Sequence, residues 1–157
     1  MPLANSQATS TRALTVTEKS DAITIRSPYW QVQHRRKSGG CFSSIRFTHG
    51  SGKNLLASPV TSSIRLNKLL GLRDPETPIF PSYYEHLDSQ ATVTVEQSSS
   101  CIAVIAEGLY RDEKGADIGI RFRHRYEYRQ WGLVSTELEI IPSPSSAASP
   151  ASSTVVL

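Results

Sequence analysis

Cysteine is scarce in this chain, and the two present, Cys41 and Cys101, form neither a metal-ligand spacing nor a redox motif. A disulfide between them would need two strands distant in sequence to lie side by side, and reduced, half-buried thiols are the plainer reading. Long apolar runs are missing too, so no segment approaches the length of a membrane span. The first residues, MPLANSQATSTRALTV, lack the charged start and apolar stretch of a signal peptide. The chain is therefore expected to be soluble, with no membrane partner. Catalytic signatures are equally thin: there is no HExxH and no GxSxG, and His34, His49, His86 and His124 include no pair at three- or four-residue spacing. Neither a metal nor a cofactor is expected. The GSGK run at residues 50–53 is too short for a phosphate-cradling loop and precedes no helical pattern, so it reads as a hairpin turn. No internal repeat and no convincing amphipathic helix is visible.

What the chain does have is alternation. From Ile118 to Ile140 (IGIRFRHRYEYRQWGLVSTELEI) two period-two segments meet at a short turn. Ile118, Ile120, Phe122, His124, Tyr126 and Tyr128 share one face of the first segment, and Arg121, Arg123, Arg125 and Arg129 share the other. With Gln130, Trp131 and Gly132 as the loop, and Gly132 in a left-handed position, Arg129 pairs with Leu133. Arg125 then faces Glu137 and Arg123 faces Glu139. These pairings would neutralise much of the arginine stripe.

The net charge of +3 is spread over strand faces and loops and interleaved with acids. Arg35, Arg36 and Lys37 make only a short basic run, so a solvated sheet face is expected rather than a nucleic-acid footprint. The ends differ in character from the middle. Residues 1–20 are polar and rich in Ser and Thr, and residues 142–157 (PSPSSAASPASSTVVL) form a Pro/Ser/Ala tract with little apolar surface to offset the entropy of ordering. The reading is a flexible segment over 1–20, a β-sandwich domain over 21–141 and a disordered tail over 142–157.

Within the domain, Ala22–Arg26 reads as a strand, and Tyr29–Arg35 alternates with Trp30, Val32 and His34 on one side. Lys37–Gly40 is a turn. Cys41–His49 follows with Cys41, Ser43, Ile45 and Phe47 on one face. Asn54–Ala57 reads as a short strand and Thr61–Leu70 as another, with Ile64 and Leu66 alternating. Residues 71–82 hold three prolines and form a loop. Tyr83–Leu87, Ala91–Gln97 and Cys101–Tyr110 are further strands. About eight strands at short, regular spacing point to an all-β, antiparallel β-sandwich.

The stretch YWQVQHRRKSGGCFSSIRFTHGSGKNLL has an aromatic strand, a Gly-Gly turn, a Ser-Ile-x-Phe strand, a Gly-rich turn and then Asn-Leu-Leu. A Tyr-x-Tyr strand hairpinned into an acidic one follows downstream. In layout, residues 22–141 resemble the opening half of the galactose-mutarotase-like β-supersandwich, found in aldose epimerases, in large β-galactosidases and in several polysaccharide lyases and glycosidases. The resemblance implies a supersandwich-type fold, here incomplete, and a carbohydrate as partner. An incomplete sandwich would also leave a sheet edge exposed and invite self-association. The epimerases of that family use two histidines and a carboxylate, and none of the histidines here matches their motif. The resemblance thus implies a non-catalytic carbohydrate-binding module, or a fragment of a carbohydrate-active protein. A sugar epimerase, glycoside hydrolase or polysaccharide lyase fragment is the enzymatic alternative, and a purely structural interaction module the third.

A sugar binder needs accessible aromatic rings beside hydrogen-bonding groups. Trp131 in the hairpin turn, Tyr83 and Tyr84 after the proline loop, and His49 beside Gly50 and Gly52 are the carbohydrate-binding candidates. For Trp131 the competing expectation is a ring folded over its own hairpin. Trp30 reads as core, and so does His124 as a hydrogen-bonded interior histidine. Asp74 with Glu76, and Glu85 with Asp88, are the carboxylate pairs close enough in sequence to suggest acid/base work.

Overall fold

The computed structural model describes residues 14–65 and 82–142, which build two antiparallel sheets. One holds β1 (Thr15–Glu18), β2 (Ala22–Arg26), β3 (Trp30–Arg35) and β4 (Phe42–Phe47) as a meander in chain order. The other holds β5 (Ser63–Arg65), β6 (Ser82–Tyr84), β7 (Thr92–Gln97), β8 (Ile102–Arg111), β9 (Asp117–Arg129) and β10 (Gly132–Pro142). Its order is β10-β9-β8-β6-β5, with β7 pairing alongside the first part of β8. The protein is an all-β, sandwich-like fold. Ile23, Ile25, Trp30 and Val32 from the first sheet and Val104, Phe122, Tyr126 and Tyr128 from the second belong to a single apolar core.

β1 lies inside the segment expected to be flexible: Thr15–Glu18 pairs with Ile23–Arg26. Val16 packs partly against the core, and Glu18 accepts an ion pair from Arg36 at 2.5 Å. Those two contacts explain a strand in a stretch whose composition is polar. Residues 1–13 and 143–157, which make up most of the two end segments, lie outside the described residues, as do Leu66, Asp74 and Glu76.

The long hairpin has the expected pairing in its middle and a different turn. The loop is two residues, Gln130 and Trp131, because Arg129 pairs with Gly132 rather than with Leu133. That moves the register by one, and a bulge between Leu133 and Ser135 moves it back, so Arg125 still lies opposite Glu137 and Arg123 opposite Glu139. The side chains do otherwise. Arg125 reaches across β8 to Glu96 on β7 at 2.7 Å, and Arg123 pairs with Glu107 on β8 at 3.0 Å. β8 supplies the reason. Its outward-facing Ala103 and Ile105 are buried, and an arginine stem laid over them covers apolar surface that an edge strand does not offer.

Three other local expectations shift. In β4 the buried side chains are Phe42 and Ser44, while Ser43 and Ile45 are half-buried and Phe47 is 50% exposed. Alternation counted from Cys41 starts in the wrong phase, because Cys41 belongs to the preceding turn, its N–H bonded to the Ser38 carbonyl. Asn54–Leu56 is no strand, yet it shields the β4 edge: Leu55 N–H donates to the Ile45 carbonyl and Asn54 Oδ1 accepts from the Ile45 N–H. Finally, the segment Tyr83–Leu87 divides into β6 and a 3-10 turn at Glu85–Leu87.

That turn is seated by the Gly-Gly corner. Gly39 and Gly40 have φ of 61° and 66°, a left-handed conformation that glycine adopts without the Cβ penalty. Gly39 N–H donates to the Asp88 carbonyl at 2.9 Å, and a Cβ on Gly39 would collide with the backbone of Glu85. The corner brings the two sheets into contact at one end of the core.

Candidate functional site

Two polar regions stand out, one inside the sandwich and one at its surface. The interior region is built around Glu85, which has no solvent exposure. Its carboxylate meets His124 Nδ1 at 3.1 and 3.2 Å, accepts the Ser62 hydroxyl at 2.7 Å and accepts the Cys41 thiol at 3.2 Å. Ser62 also bonds Tyr110, Tyr126 OH lies 2.9 Å from His124 Nδ1, and His124 Nε2 bonds the Thr136 hydroxyl at 2.7 Å. Burial favours the protonated form of Glu85, but the hydrogen bond and charge of His124, with Ser62 and Cys41, outweigh it and hold the carboxyl below its ordinary range. Burial, reinforced by the nearby Glu85 carboxylate, pushes the Cys41 thiol up. Burial likewise raises Tyr110 to about 12. Such a thiol is a poor nucleophile, since the thiolate is the reactive form.

His34 makes a second interior contact. Its Nδ1–H donates to the Gly40 carbonyl at 2.8 Å, which fixes the tautomer and leaves Nε2 to accept the Tyr128 hydroxyl. Among the described residues every buried side-chain nitrogen and oxygen has a hydrogen-bond partner. Among these residues the interior is a satisfied network.

Glu85 and Asp88 are bound into separate contacts. Glu85 belongs to the His124 network, whereas Asp88 is held by Arg111 Nε at 3.0 Å and the Leu109 N–H at 2.8 Å. The two carboxylates serve different contacts, both buried. Among the described residues no group of three or more His, Cys, Asp or Glu side chains is placed to hold a metal ion.

The surface region lies at the end of the sandwich where the β9–β10 turn, the β7–β8 turn and the approach to β3 meet. Trp131 is 77% exposed and stacks on Tyr29, with ring centroids 5.3 Å apart and planes 18° from parallel. The ring thus leans on the other sheet, not back over its own hairpin. Beneath it Trp30 is buried, its indole N–H donating to the Gln130 carbonyl at 3.1 Å and pinning the turn that presents Trp131. Beside the pair is a cleft of about 540 Å³ lined by Trp131, Gln130, Arg129 and the serine turn Ser98–Ser100, with Ile102 and Leu14 as apolar floor. Ser98 Oγ is engaged in its own turn, accepting the Cys101 N–H at 3.1 Å and lying 3.2 Å from Cys101 Sγ. Ser99, Ser100, Gln97, Gln130 and Arg129 supply the hydrogen-bonding rim.

Of the sequence-derived candidates, only Trp131 belongs to this cleft. Tyr83 packs against the core, and Tyr84 sits against the His86 ring at 5.2 Å. His49 lies in the exposed turn after β4. None of these three lines the cleft, so the four candidates do not form one site. Tyr29 was the partner to find. Trp30 alternates inward with Val32 and His34, which leaves Tyr29 facing out, but its meeting with Trp131 depends on tertiary packing. Both cysteines are free: Cys41 is buried against Glu85 and Cys101 is half-buried at the cleft. No protein-family model and no curated protein matches the chain.

Proposed function

We propose that this domain is a carbohydrate-binding module and that the Trp131 cleft is where the sugar sits. The observation that carries the reading is the exposed Trp131–Tyr29 stack beside a cleft rimmed by serine, glutamine and arginine. An aromatic face covers the apolar side of a pyranose, and neighbouring amides, hydroxyls and a guanidinium bond its hydroxyl groups. Because Trp131 already rests on Tyr29, its orientation is held before ligand arrives, which lowers the entropy lost on binding. The resemblance of the sequence layout to the galactose-mutarotase-like supersandwich supports the same substrate class. Burial of Glu85, His124 and Cys41 favours a binding role over an epimerase, hydrolase or lyase role, since a reactant would have to reach acid/base groups inside the core.

The test is a screen of the folded chain on an array of neutral oligosaccharides, followed by calorimetry on any hit. Trp131→Ala and Tyr29→Ala should each weaken binding about tenfold, the scale of one lost aromatic contact. A folded protein that binds no glycan, or that binds equally well without either ring, would overturn the proposal.

A further inference from the structure

β10 is an eleven-residue strand that, among the described residues, hydrogen-bonds to β9 alone. The other long edges are better covered. β4 is shielded by Asn54–Leu56, and its bridge partner Val60 donates its N–H to the Phe42 carbonyl. The β7 edge has Arg36 Nη1 bonded to the Val93 carbonyl at 2.6 Å. Among the described residues nothing pairs with the outer edge of β10, which there presents alternate backbone N–H and C=O groups to a chain laid beside it.

The side chains say which chain would fit. On the outer face Glu137 and Glu139 are exposed, and the arginines opposite them are engaged by Glu96 and Glu107. Among the described residues neither Glu137 nor Glu139 has an ion pair. On the inner face Leu138 and Ile140 pack against the core but remain half-buried. An added strand would meet acid on one side and apolar surface on the other. A second copy pairing through its own β10 in antiparallel fashion would set Glu137 and Glu139 against the same residues, a like-charge arrangement. Residues 143–157 carry no lysine or arginine. Both occupants lack the complementary charge.

We propose that β10 is a β-augmentation edge for an extended segment of a partner protein that alternates basic and apolar residues. Backbone hydrogen bonds to β10 would give the affinity, and pairing of the basic side chains with Glu137 and Glu139 would give the register.

The experiment uses the full chain and a fluorescein-labelled peptide alternating lysine and valine, about eight residues long to match a common strand length. Anisotropy should report saturable one-to-one binding. N-methylation of alternate peptide residues should abolish it, because it removes the strand-pairing donors while keeping every charge. Glu137→Gln/Glu139→Gln, folded by circular dichroism, should weaken binding about tenfold, the scale of two exposed ion pairs. Hydrogen exchange should show the outward β10 amides fast in the free chain and slowed by the peptide. Slow exchange of those amides in the free chain would mean the edge is already covered and would overturn the proposal. So would equal binding of the N-methylated peptide, no saturation by about 1 mM, a concentration at which even weak specific contacts register, or sedimentation showing a dimer formed through β10.

Discussion

His34 on β3 and Tyr128 on β9, one from each sheet, meet inside the core with the Tyr128 hydroxyl donating to His34 Nε2 at 2.6 Å. The histidine is locked from its other side by the Gly40 carbonyl, so the bond couples the Gly-Gly corner to the long hairpin. Tyr128→Phe keeps the ring and its contact with Trp30 but leaves a buried imidazole nitrogen without a donor. The expected cost is about 1–3 kcal/mol, read from urea denaturation. A change within experimental error would show that the bond contributes nothing to holding the sheets together.

The same histidine makes stability depend on pH. Burial, opposed by the Gly40 hydrogen bond and helped by His124, lowers its pKa from 6.5 to about 4. The folded state thus binds fewer protons than the unfolded chain between these values. Stability from this group is complete above about pH 6.5 and is lost as pH falls toward 4, about 3 kcal/mol in all at ~1.4 kcal/mol per pH unit. Glu85, with its carboxyl held low, adds a further loss only as pH drops below its ordinary 4.5. Denaturation curves from pH 7 to 4 should show the decline, and His34→Gln should flatten the part above pH 4.5.

Much of this interior was readable locally, and its assembly was not. Alternation in β9 placed Phe122, His124, Tyr126 and Tyr128 inward, as they are, because period two is a property of neighbouring residues. Glu85 gave no such signal. It sits in a 3-10 turn, and its burial arises when Gly39, His124 and Ser62 converge from three distant segments. The Trp131 cleft is legible to the same degree: one aromatic in a turn could be picked out, whereas its stack with Tyr29 depends on how the sheets meet.

Gly39 should tolerate no side chain. An alanine there would be strained at φ 61° and would drive its methyl into the Glu85 carbonyl, a rigid backbone neighbour. Gly39→Ala is expected to destabilise by about 3 kcal/mol or more, in the range of the severe single substitutions. A stability equal to wild type would mean that the corner is not packed against the 3-10 turn as described.

Arg125 allows two pairings to be separated. It lies in register with Glu137 but contacts Glu96. A double-mutant cycle on Arg125 and Glu96 should return about 0.2–1 kcal/mol, as exposed pairs do, and the cycle on Arg125 and Glu137 should return about zero. Both couplings should shrink or stay at zero in high salt. A larger coupling to Glu137 would show that the side chain prefers β10 over the apolar cover of β8.

The two tryptophans should report on the cleft independently of any glycan. Trp30 is buried with its N–H bonded to a carbonyl, while Trp131 is 77% exposed and rests on Tyr29. Native emission should therefore contain a blue component shielded from acrylamide and a red component quenched by it. Trp131→Phe should remove the red component alone, and with stability unchanged within about 0.5 kcal/mol, since the ring contributes little buried area. Tyr29→Ala should leave the red component in place and make it easier to quench, because one face of the indole loses its cover. If Trp131→Phe instead unfolded the domain, the ring would be a structural clamp between the sheets and not a free platform for a ligand.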